Sequence, residues 1–170
     1  MIRLAINIDI ASGKWKNAFP HLRTKMEQAA ACAFINAKKP ASFKKHDFEI
    51  NILLASDSAV KKLNKNWRGT NKPTNVLSFP QLSSPRTLAR IKEKKIALGD
   101  IALSYETIRR ECREQKKTLE NHAIHLVVHG TLHLLGYDHM RRKDAENMEK
   151  LECDILDSLG YPDPYHENDG

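Results

Sequence analysis

Hydrophobic and polar residues alternate along the first ten positions of the chain, a pattern that is typical of a half-buried β-strand. Apolar segments of this kind predict four strands, at residues 2–10, 47–55, 74–79 and 96–104. Gly99 interrupts the last segment and predicts a β-bulge there. The polar, basic segment 81–95 is expected to be an exposed, mobile loop between the third and fourth strands.

Elsewhere, apolar residues recur at helical spacing. They predict five helices, at about residues 17–36, 57–66, 105–117, 118–135 and 142–159. Ser56 and Asp57 are suitable N-caps for the second helix, and Gly136 and Gly160 end the last two. This order predicts an α/β (α+β) fold: a single domain with a small, about four-stranded mixed sheet packed with helices and a central helix that carries histidines. Residues 1–160 are assigned to the domain, and residues 161–170, which lack a core pattern, to a flexible tail.

The chain has 170 residues and a mass of 19.4 kDa, a size suited to one domain. No uncharged apolar run reaches the roughly 18 residues that a membrane-spanning helix needs, and the first residues have the pattern of a strand rather than of a signal peptide. The three cysteines are odd in number and far apart, without a C-x-x-C pair, which indicates a reducing compartment. We therefore expect a cytoplasmic protein with no membrane partner.

Charge is distributed unevenly along the chain. The net charge is +7, to which residues 1–60 contribute +4, residues 61–117 contribute +10 and residues 118–170 contribute −7. The basic middle section favours a polyanionic partner, although a solvated basic surface would give the same composition. The chain has only eleven aromatic residues, few for a protein that binds single strands mainly by stacking on their bases.

The most informative segment is HGTLHLLGYDH, residues 129–139. His129 and His133 are four residues apart and therefore lie on one face of a helix, where two imidazoles can reach one cation. Gly136 can turn the chain out of the helix and bring His139 back toward the same point. Three nitrogen ligands with one open position are typical of a catalytic zinc site, although imidazole also suits other first-row transition metals. Histidines that merely pack in the core or lie on the surface are the alternative.

Neighbouring residues limit what such a metal site could do. The segment shares three histidines and a glycine with the zinc-protease signature H-E-x-x-H-x-x-G-x-x-H, but Gly130 replaces the glutamate that acts as general base, which disfavours a peptidase. Asp138 is either a group that orients a ligand imidazole or accepts a proton from bound water, or an ordinary turn residue. His125 is expected to support the site from behind or to pack, with a fourth-ligand role left open, and His122 to be structural or exposed.

A second set of residues lies upstream, in the segment NKNWRGTNKPTNVLSF at 64–79. Arg68 follows a predicted helix and, taken alone, is an ordinary surface arginine. If the substrate is a phosphodiester, its guanidinium could hold two oxygens of the transition state. Neutral donors that could line the same cleft are Thr74, Asn75 and Ser78. Asp100 lies inside an apolar strand and needs partners if it is buried, for a structural or a functional reason.

These segments resemble those of the YbeY family of bacterial metal-dependent endoribonucleases, the rRNA maturation factors. HGTLHLLGYDH is similar to the family's signature, and RGTNKPTNVLSF at 68–79 and LGDIALS at 98–104 resemble two further blocks in the same order. The resemblance implies a single α/β domain, a zinc-like ion held by His129, His133 and His139, and Arg68 facing it from a basic cleft. It also implies hydrolysis of single-stranded RNA, a role in 16S rRNA 3′-end maturation and ribosome quality control in the cytoplasm, and the ribosome or its small subunit as a partner.

Two functional hypotheses follow. The first is a metal-dependent endoribonuclease that hydrolyses RNA phosphodiesters, with a metal-bound hydroxide or Asp138 as the base and Arg68 stabilising the developing negative charge. The second is a non-catalytic ribosome-assembly factor that binds RNA and holds a structural metal. The absence of a clear general base favours the second hypothesis, and the signature favours the first.

Overall fold

The computed structural model describes residues 3–82, 88, 90–138 and 140–165. Its strands and helices follow one another in the order β1 (Leu4–Ile10), α1 (Leu22–Asn36), β2 (Asp47–Ala55), α2 (Asp57–Arg68), β3 (Val76–Pro80), β4 (Lys95–Ser104), α3 (Tyr105–Gln115), α4 (Leu119–Leu134) and α5 (Arg142–Ser158). Short 3-10 helices precede and follow α1, at Gly13–Trp15 and Ala41–Lys45. None of the helices in this part of the chain is both long and apolar enough to cross a membrane.

The strands form one mixed sheet in the order β1-β2-β4-β3, so the predicted fold class is confirmed. β1, β2 and β4 run parallel, and β3 is antiparallel to β4. The predicted bulge is also present, because the register between β2 and β4 shifts next to Gly99. Gly99 has a φ of 149°, and a Cβ atom there would lie 2.3 Å from the carbonyl oxygen of Phe79. Only glycine therefore fits at this bulge.

α4 is the central helix and carries the histidines, as predicted. Twelve of its sixteen residues are buried, so it is enclosed by protein on nearly every side. It packs against the sheet and against α1, α3 and α5. The hydroxyl of Thr118 accepts a hydrogen bond from the backbone N–H of Asn121 at 3.1 Å and caps the N-terminus of the helix.

Some helix boundaries differ from the prediction. α1 begins at Leu22 rather than at residue 17, because Pro20 lies before it and His21 adopts a left-handed conformation with a φ of 55°. α2 begins as predicted after Ser56, whose hydroxyl accepts a hydrogen bond from the Ala59 N–H at 3.3 Å. It continues to Arg68 and ends at Gly69, which has a φ of 70°. This extension places Arg68 on the last turn of a helix instead of in a loop.

The segment between β3 and β4 was expected to be an exposed, mobile loop, and most of its described residues are exposed, but two apolar side chains depart from this expectation. Leu88 is fully buried in the main core, and Ile91 packs against the same core. These apolar side chains anchor the segment despite its basic composition. Residues 83–87 and 89 lie outside the described part of the chain.

The expected flexible tail, 161–170, is packed against the domain in its first half. Tyr161 contacts the core, and the Tyr165 hydroxyl donates a hydrogen bond to the carboxylate of Glu152. The carbonyl oxygen of Pro164 accepts a hydrogen bond from Lys117 at 2.8 Å. Residues 166–170 lie outside the described residues.

Candidate metal centre

His129 and His133 lie on adjacent turns of α4, and their rings meet edge to face. The ring centroids are 4.5 Å apart, with 80° between the ring planes. The two Nε2 atoms are 3.0 Å apart. Two nitrogens that bind one zinc ion at roughly 2.0–2.1 Å in tetrahedral geometry lie about 3.3 Å apart. The spacing therefore fits two ligands of a single ion.

The second nitrogen of each ring faces a fixed oxygen acceptor. His129 Nδ1 contacts the carboxylate of Glu152, and His133 Nδ1 lies 2.9 Å from the carbonyl oxygen of Tyr137. Because both acceptors are oxygens without a proton to give, each Nδ1 donates its hydrogen, and Nε2 is the nitrogen of each ring that is placed to bind a metal ion. Contacts of this kind orient metal-binding histidines. The donor set thus suits a transition metal ion.

The carboxylate behind His129 is fully buried. One Glu152 oxygen accepts a hydrogen bond from His129, and the other accepts one from the Tyr165 hydroxyl and lies 3.5 Å from His125 Nε2. Burial alone would raise the pKa of Glu152, but the hydrogen bonds from His125, His129 and Tyr165 outweigh it and lower the pKa to about 2. Burial, and next the bond to this carboxylate, raise the pKa of Tyr165, which therefore keeps its proton. An ionised Glu152 strengthens the hydrogen bond that holds His129.

His129 also belongs to a group of three side chains that are close enough together to share one metal ion. His125, His129 and Glu152 each offer one ligand atom, and these atoms lie within 4.8 Å of one another. This group could hold a metal ion. However, Glu152 already accepts hydrogen bonds from His129 and Tyr165, whereas the Nε2 atoms of His129 and His133 lie beside an open cavity.

The cavity next to these Nε2 atoms has a volume of about 500 Å³. Residues from α2, the segment before β3, β3, α4 and the turn after α4 line it, including Arg68, Thr74, Ser78, His129, His133 and Asp138. Arg68 reaches the cavity because it occupies the last turn of α2. Its Nη2 donates to the carbonyl oxygen of Ser78 at 2.7 Å, and its guanidinium lies 5.8 Å from the centre of the Phe79 ring. These contacts hold the Arg68 guanidinium at the cavity that His129 and His133 also line.

Five residues were named from the sequence as metal ligands or as groups that act on the substrate. Four of them line this one cavity: Arg68, His129, His133 and Asp138. His139, the fifth, lies outside the described residues, so its place as a third ligand stays a prediction. Asp138 is exposed, and its Oδ1 accepts a hydrogen bond from the Met140 N–H at 3.2 Å. This contact is that of a turn residue, and the carboxylate still borders the cavity.

Other residues considered from the sequence support the centre or lie apart from it. Asn75 lines the cavity, as predicted, and its amide donates to the two carboxylate oxygens of Glu111 at 2.9 and 3.2 Å. His122 is buried and lies 3.0 Å from Glu111; burial, the largest influence, lowers its pKa, so the ring is structural. His125 packs beside Glu152, as expected of a residue behind the site. Asp100 lies on the opposite face of the sheet, where its Oδ1 accepts a hydrogen bond from Asn51 at 3.0 Å.

Gly130, where zinc proteases carry their glutamate, has a packing role of its own. A Cβ atom there would lie 3.0 Å from Ile101 Cγ2 and 3.2 Å from Ser78 Oγ. The helix therefore crosses the sheet at a distance that suits glycine, and a glutamate would meet β3 and β4. The same close approach brings His129 and His133 next to Ser78 and the strand end that Arg68 contacts.

Sequence reasoning missed Glu152 and Tyr165. A signal for Glu152 was present, because it shares a helical face with Met148, Ile155 and Leu156, all of which are buried. A glutamate at a core position of a helix needs a buried partner. Tyr165 gave no such signal, since it lies between prolines and acidic residues without periodicity.

Fold and site together define a small α/β protein whose central helix presents histidines to a cleft that suits a metal ion. The family model for Endoribonuclease YbeY matches residues 11–160. The chain therefore belongs to the endoribonuclease YbeY family.

Individual relatives agree with this assignment. An endoribonuclease YbeY from Paramagnetospirillum magneticum is 41% identical over 166 residues, which cover 98% of both chains. One from Bradyrhizobium diazoefficiens is 52% identical over 122 residues, which are 72% of this chain and 66% of that relative. Among solved structures, the solution structure of TM1509 from Thermotoga maritima matches with a TM-score of 0.54 and 24% identity, covering 95% of this chain and 99% of that one. That structural match supports the fold.

Proposed function

We propose that this protein is a metal-dependent endoribonuclease that hydrolyses phosphodiester bonds in single-stranded RNA. The observation that carries the proposal is the pair of Nε2 atoms, 3.0 Å apart, that share one cavity with the guanidinium of Arg68. A metal ion and a guanidinium beside one another suit a phosphodiester, whose transition state carries extra negative charge. Family membership and the basic charge of residues 61–117 support RNA as the substrate.

The proposed ligands are His129, His133 and His139, and the metal is Zn²⁺ or another first-row transition metal ion. Once bound, the ion would lower the pKa of its water toward about 7 and polarise a phosphoryl oxygen. Glu152 and the Tyr137 carbonyl oxygen hold the two described imidazoles in the tautomer that can bind metal.

Arg68 and Asp138 are the residues that we propose to act on the substrate. Arg68 uses one N–H on the Ser78 carbonyl oxygen, and a guanidinium has five N–H donors, so it can also bind non-bridging phosphate oxygens. Asp138 is the candidate that accepts a proton from the attacking water, with a metal-bound hydroxide as the alternative that needs no separate base. We place the whole activity in one domain, residues 1–160.

The biological role that we propose is maturation of the 3′ end of 16S rRNA and ribosome quality control in the bacterial cytoplasm. The partners would be single-stranded rRNA and the ribosome or its small subunit. The relatives are bacterial proteins named as endoribonucleases, which supports a role in RNA processing.

Metal content and RNA cleavage measured on the same samples test this function. His133→Ala should lose bound metal and cleavage together, whereas His21→Asn, at an exposed histidine that does not line the cavity, should keep both. Arg68→Ala should keep the metal and lose about 10²–10³-fold in kcat, the usual effect of removing a donor to a transition-state oxyanion. Cleavage at the wild-type rate by metal-free His133→Ala would refute the proposal.

The second candidate, a non-catalytic RNA-binding assembly factor with a structural metal, is favoured by the hydrogen bond that occupies Asp138 in its turn. Arg68→Ala separates the two. Loss of cleavage with RNA affinity retained indicates an enzyme. Loss of affinity in a protein that never cleaves RNA indicates a binding module.

A further inference from the structure

One large aromatic side chain lies in solvent at the end of α2. Trp67 is 73% exposed, although tryptophan is highly buried on average in folded proteins. The chain's other tryptophan, Trp15, shows the usual arrangement: it is fully buried and donates its indole N–H to the carbonyl oxygen of Ala55 at 2.9 Å. Burial in the core therefore does not explain the indole of Trp67.

Trp67 directly precedes Arg68, whose guanidinium lines the cavity beside the histidines. The Cα atoms of consecutive residues are about 3.8 Å apart, so the exposed indole is attached to the chain directly beside a residue that lines this cavity. A phosphate held by Arg68 would place an adjoining base within reach of the indole. Met140, which also lines this cavity, is 84% exposed, so the cavity borders on solvent at this residue.

The charges around Trp67 select the kind of ligand. The segment from residue 58 to residue 82 contains no acidic residue. Its five basic residues are all exposed, and they are Lys61, Lys62, Lys65, Arg68 and Lys72. Elsewhere on the face of the sheet against which α2 packs, the charges differ, because Asp9, Glu49 and Asp100 lie there. A polyanion is attracted to the α2 side.

We propose that Trp67 is a stacking platform for an unpaired base next to the phosphate that Arg68 holds. The proposal rests on the proposed function for the identity of the polyanion as RNA. Every base presents a π-face, so stacking on an indole selects no sequence. It does select single strands, since the bases of a duplex are already stacked on one another. Trp67 thus provides a structural reason for a preference for single-stranded RNA.

One platform is consistent with the low aromatic content of the chain. Of the eleven aromatic residues of the chain, Trp67 and Tyr165 are the exposed ones within the described ranges, too few for a row of rings on which several bases could stack. Most of the binding would come from phosphate contacts with the exposed lysines, and one stacked base would fix the position of the strand relative to Arg68.

The two tryptophans allow a direct test by intrinsic fluorescence. Trp67 is exposed and Trp15 is buried, so an oligonucleotide that contacts the protein surface can quench Trp67 alone. The holoenzyme is mixed with a single-stranded RNA oligonucleotide in a stopped-flow instrument and read before turnover. We expect quenching that saturates with RNA, with none from inorganic phosphate and little from a matched duplex RNA. In Trp67→Phe, which keeps a ring but removes the reporter, the quenching should disappear.

Steady-state kinetics on the same RNA gives a second measurement. Trp67→Ala should raise KM for the single-stranded RNA by about 10-fold or more, the usual effect of losing one stacked base, with a smaller effect on kcat. Trp67→Phe should recover most of the affinity. The matched control is Ile35→Ala, because Ile35 is also 73% exposed but lies on α1, and its KM should equal that of the wild type.

The outcomes separate this proposal from the proposed function. If RNA saturates the protein, as shown by anisotropy of a labelled strand, and the fluorescence of Trp67 does not change, the stacking proposal is refuted. Wild-type KM in Trp67→Ala would also refute it while metal-dependent cleavage stood. Quenching by a single strand that the holoenzyme never cleaves would refute the nuclease function and retain Trp67 as an RNA contact.

Discussion

Replacing Glu152 with glutamine keeps the shape of the side chain and removes its charge. In the wild type this carboxylate is 0% exposed and accepts the Nδ1 proton of His129. A hydrogen bond to a charged group contributes about 1.5–3 kcal/mol, and one between neutral groups contributes about 0.5–1.5 kcal/mol. Glu152→Gln should therefore weaken the support of His129 by about 1–2 kcal/mol.

Because 1.4 kcal/mol corresponds to a factor of ten in an equilibrium constant, the Kd for metal should rise about 5- to 30-fold. This range overlaps the 10- to 100-fold losses that are usual when the hydrogen-bond partner of a metal ligand is removed. The assay is competition with a chromogenic chelator at fixed pH, on apo-protein whose fold has been checked by circular dichroism. Kd is determined for Zn²⁺ in the wild type and in the variant.

The matched control is Glu149→Gln, since Glu149 lies on the same helix but is exposed. It loses the same charge three residues away and should change the Kd less than twofold, because surface charges contribute little. Equal Zn²⁺ affinity in folded Glu152→Gln and in the wild type would show that this carboxylate does not orient a ligand. An equal loss in both variants would show that net charge, rather than the contact with His129, sets the affinity.

Three further predictions concern stability, measured as the free energy of unfolding in urea. Gly130→Ala should destabilise the protein by about 1–3 kcal/mol, because the new Cβ would lie 3.0 Å from Ile101 Cγ2 in a packed core. Gly99→Ala should cost more, because its Cβ would lie 2.3 Å from a backbone oxygen at a φ of 149°; an equal or smaller loss than in Gly130→Ala would contradict this ranking. Asp57→Asn should destabilise the protein at neutral pH: burial would raise the pKa of Asp57, but hydrogen bonds from Ser104, Thr107 and Arg110 outweigh it and hold the pKa below its usual value. The stabilisation by the ionised Asp57 carboxylate is complete above the ordinary aspartate pKa of about 4 and is lost as the pH falls through the lowered pKa. The unfolding free energies of the wild type and of Asp57→Asn should therefore converge in acid. A difference that stays constant with pH would show that the charge of Asp57 is not the cause.

Local pattern was enough to predict the elements that carry the site. β2 was predicted at its observed bounds, since alternate residues of DFEINILLA are buried on one face. The central position of α4 could also be predicted, because apolar residues occupy nearly all faces of the helix around its histidines. The spacing of His129 and His133 placed them on one face, and the structure brings their Nε2 atoms together.

Long-range contacts were beyond such reasoning. The spacing of residues within α2 does not predict that Arg68 shares a cavity with the histidines of α4. The resemblance to a family supplied the expectation that Arg68 faces them. The 81–95 segment is anchored by Leu88 and Ile91, two apolar residues in a basic stretch whose spacing shows no strand or helix period. Tyr165 reaches Glu152 through one hydroxyl, and a single contact of this kind leaves no pattern in a sequence.

The hydrogen bond between His129 and Glu152 joins two segments that a ribosome synthesises at different times. When α4 has just emerged from the exit tunnel, α5 and Tyr165 are still inside it, since a chain is made from its N-terminus. The imidazole of His129 consequently lacks its acceptor until this later part of the chain has been released and has docked. The support of this imidazole is therefore completed only after α5 has been synthesised and has docked against α4.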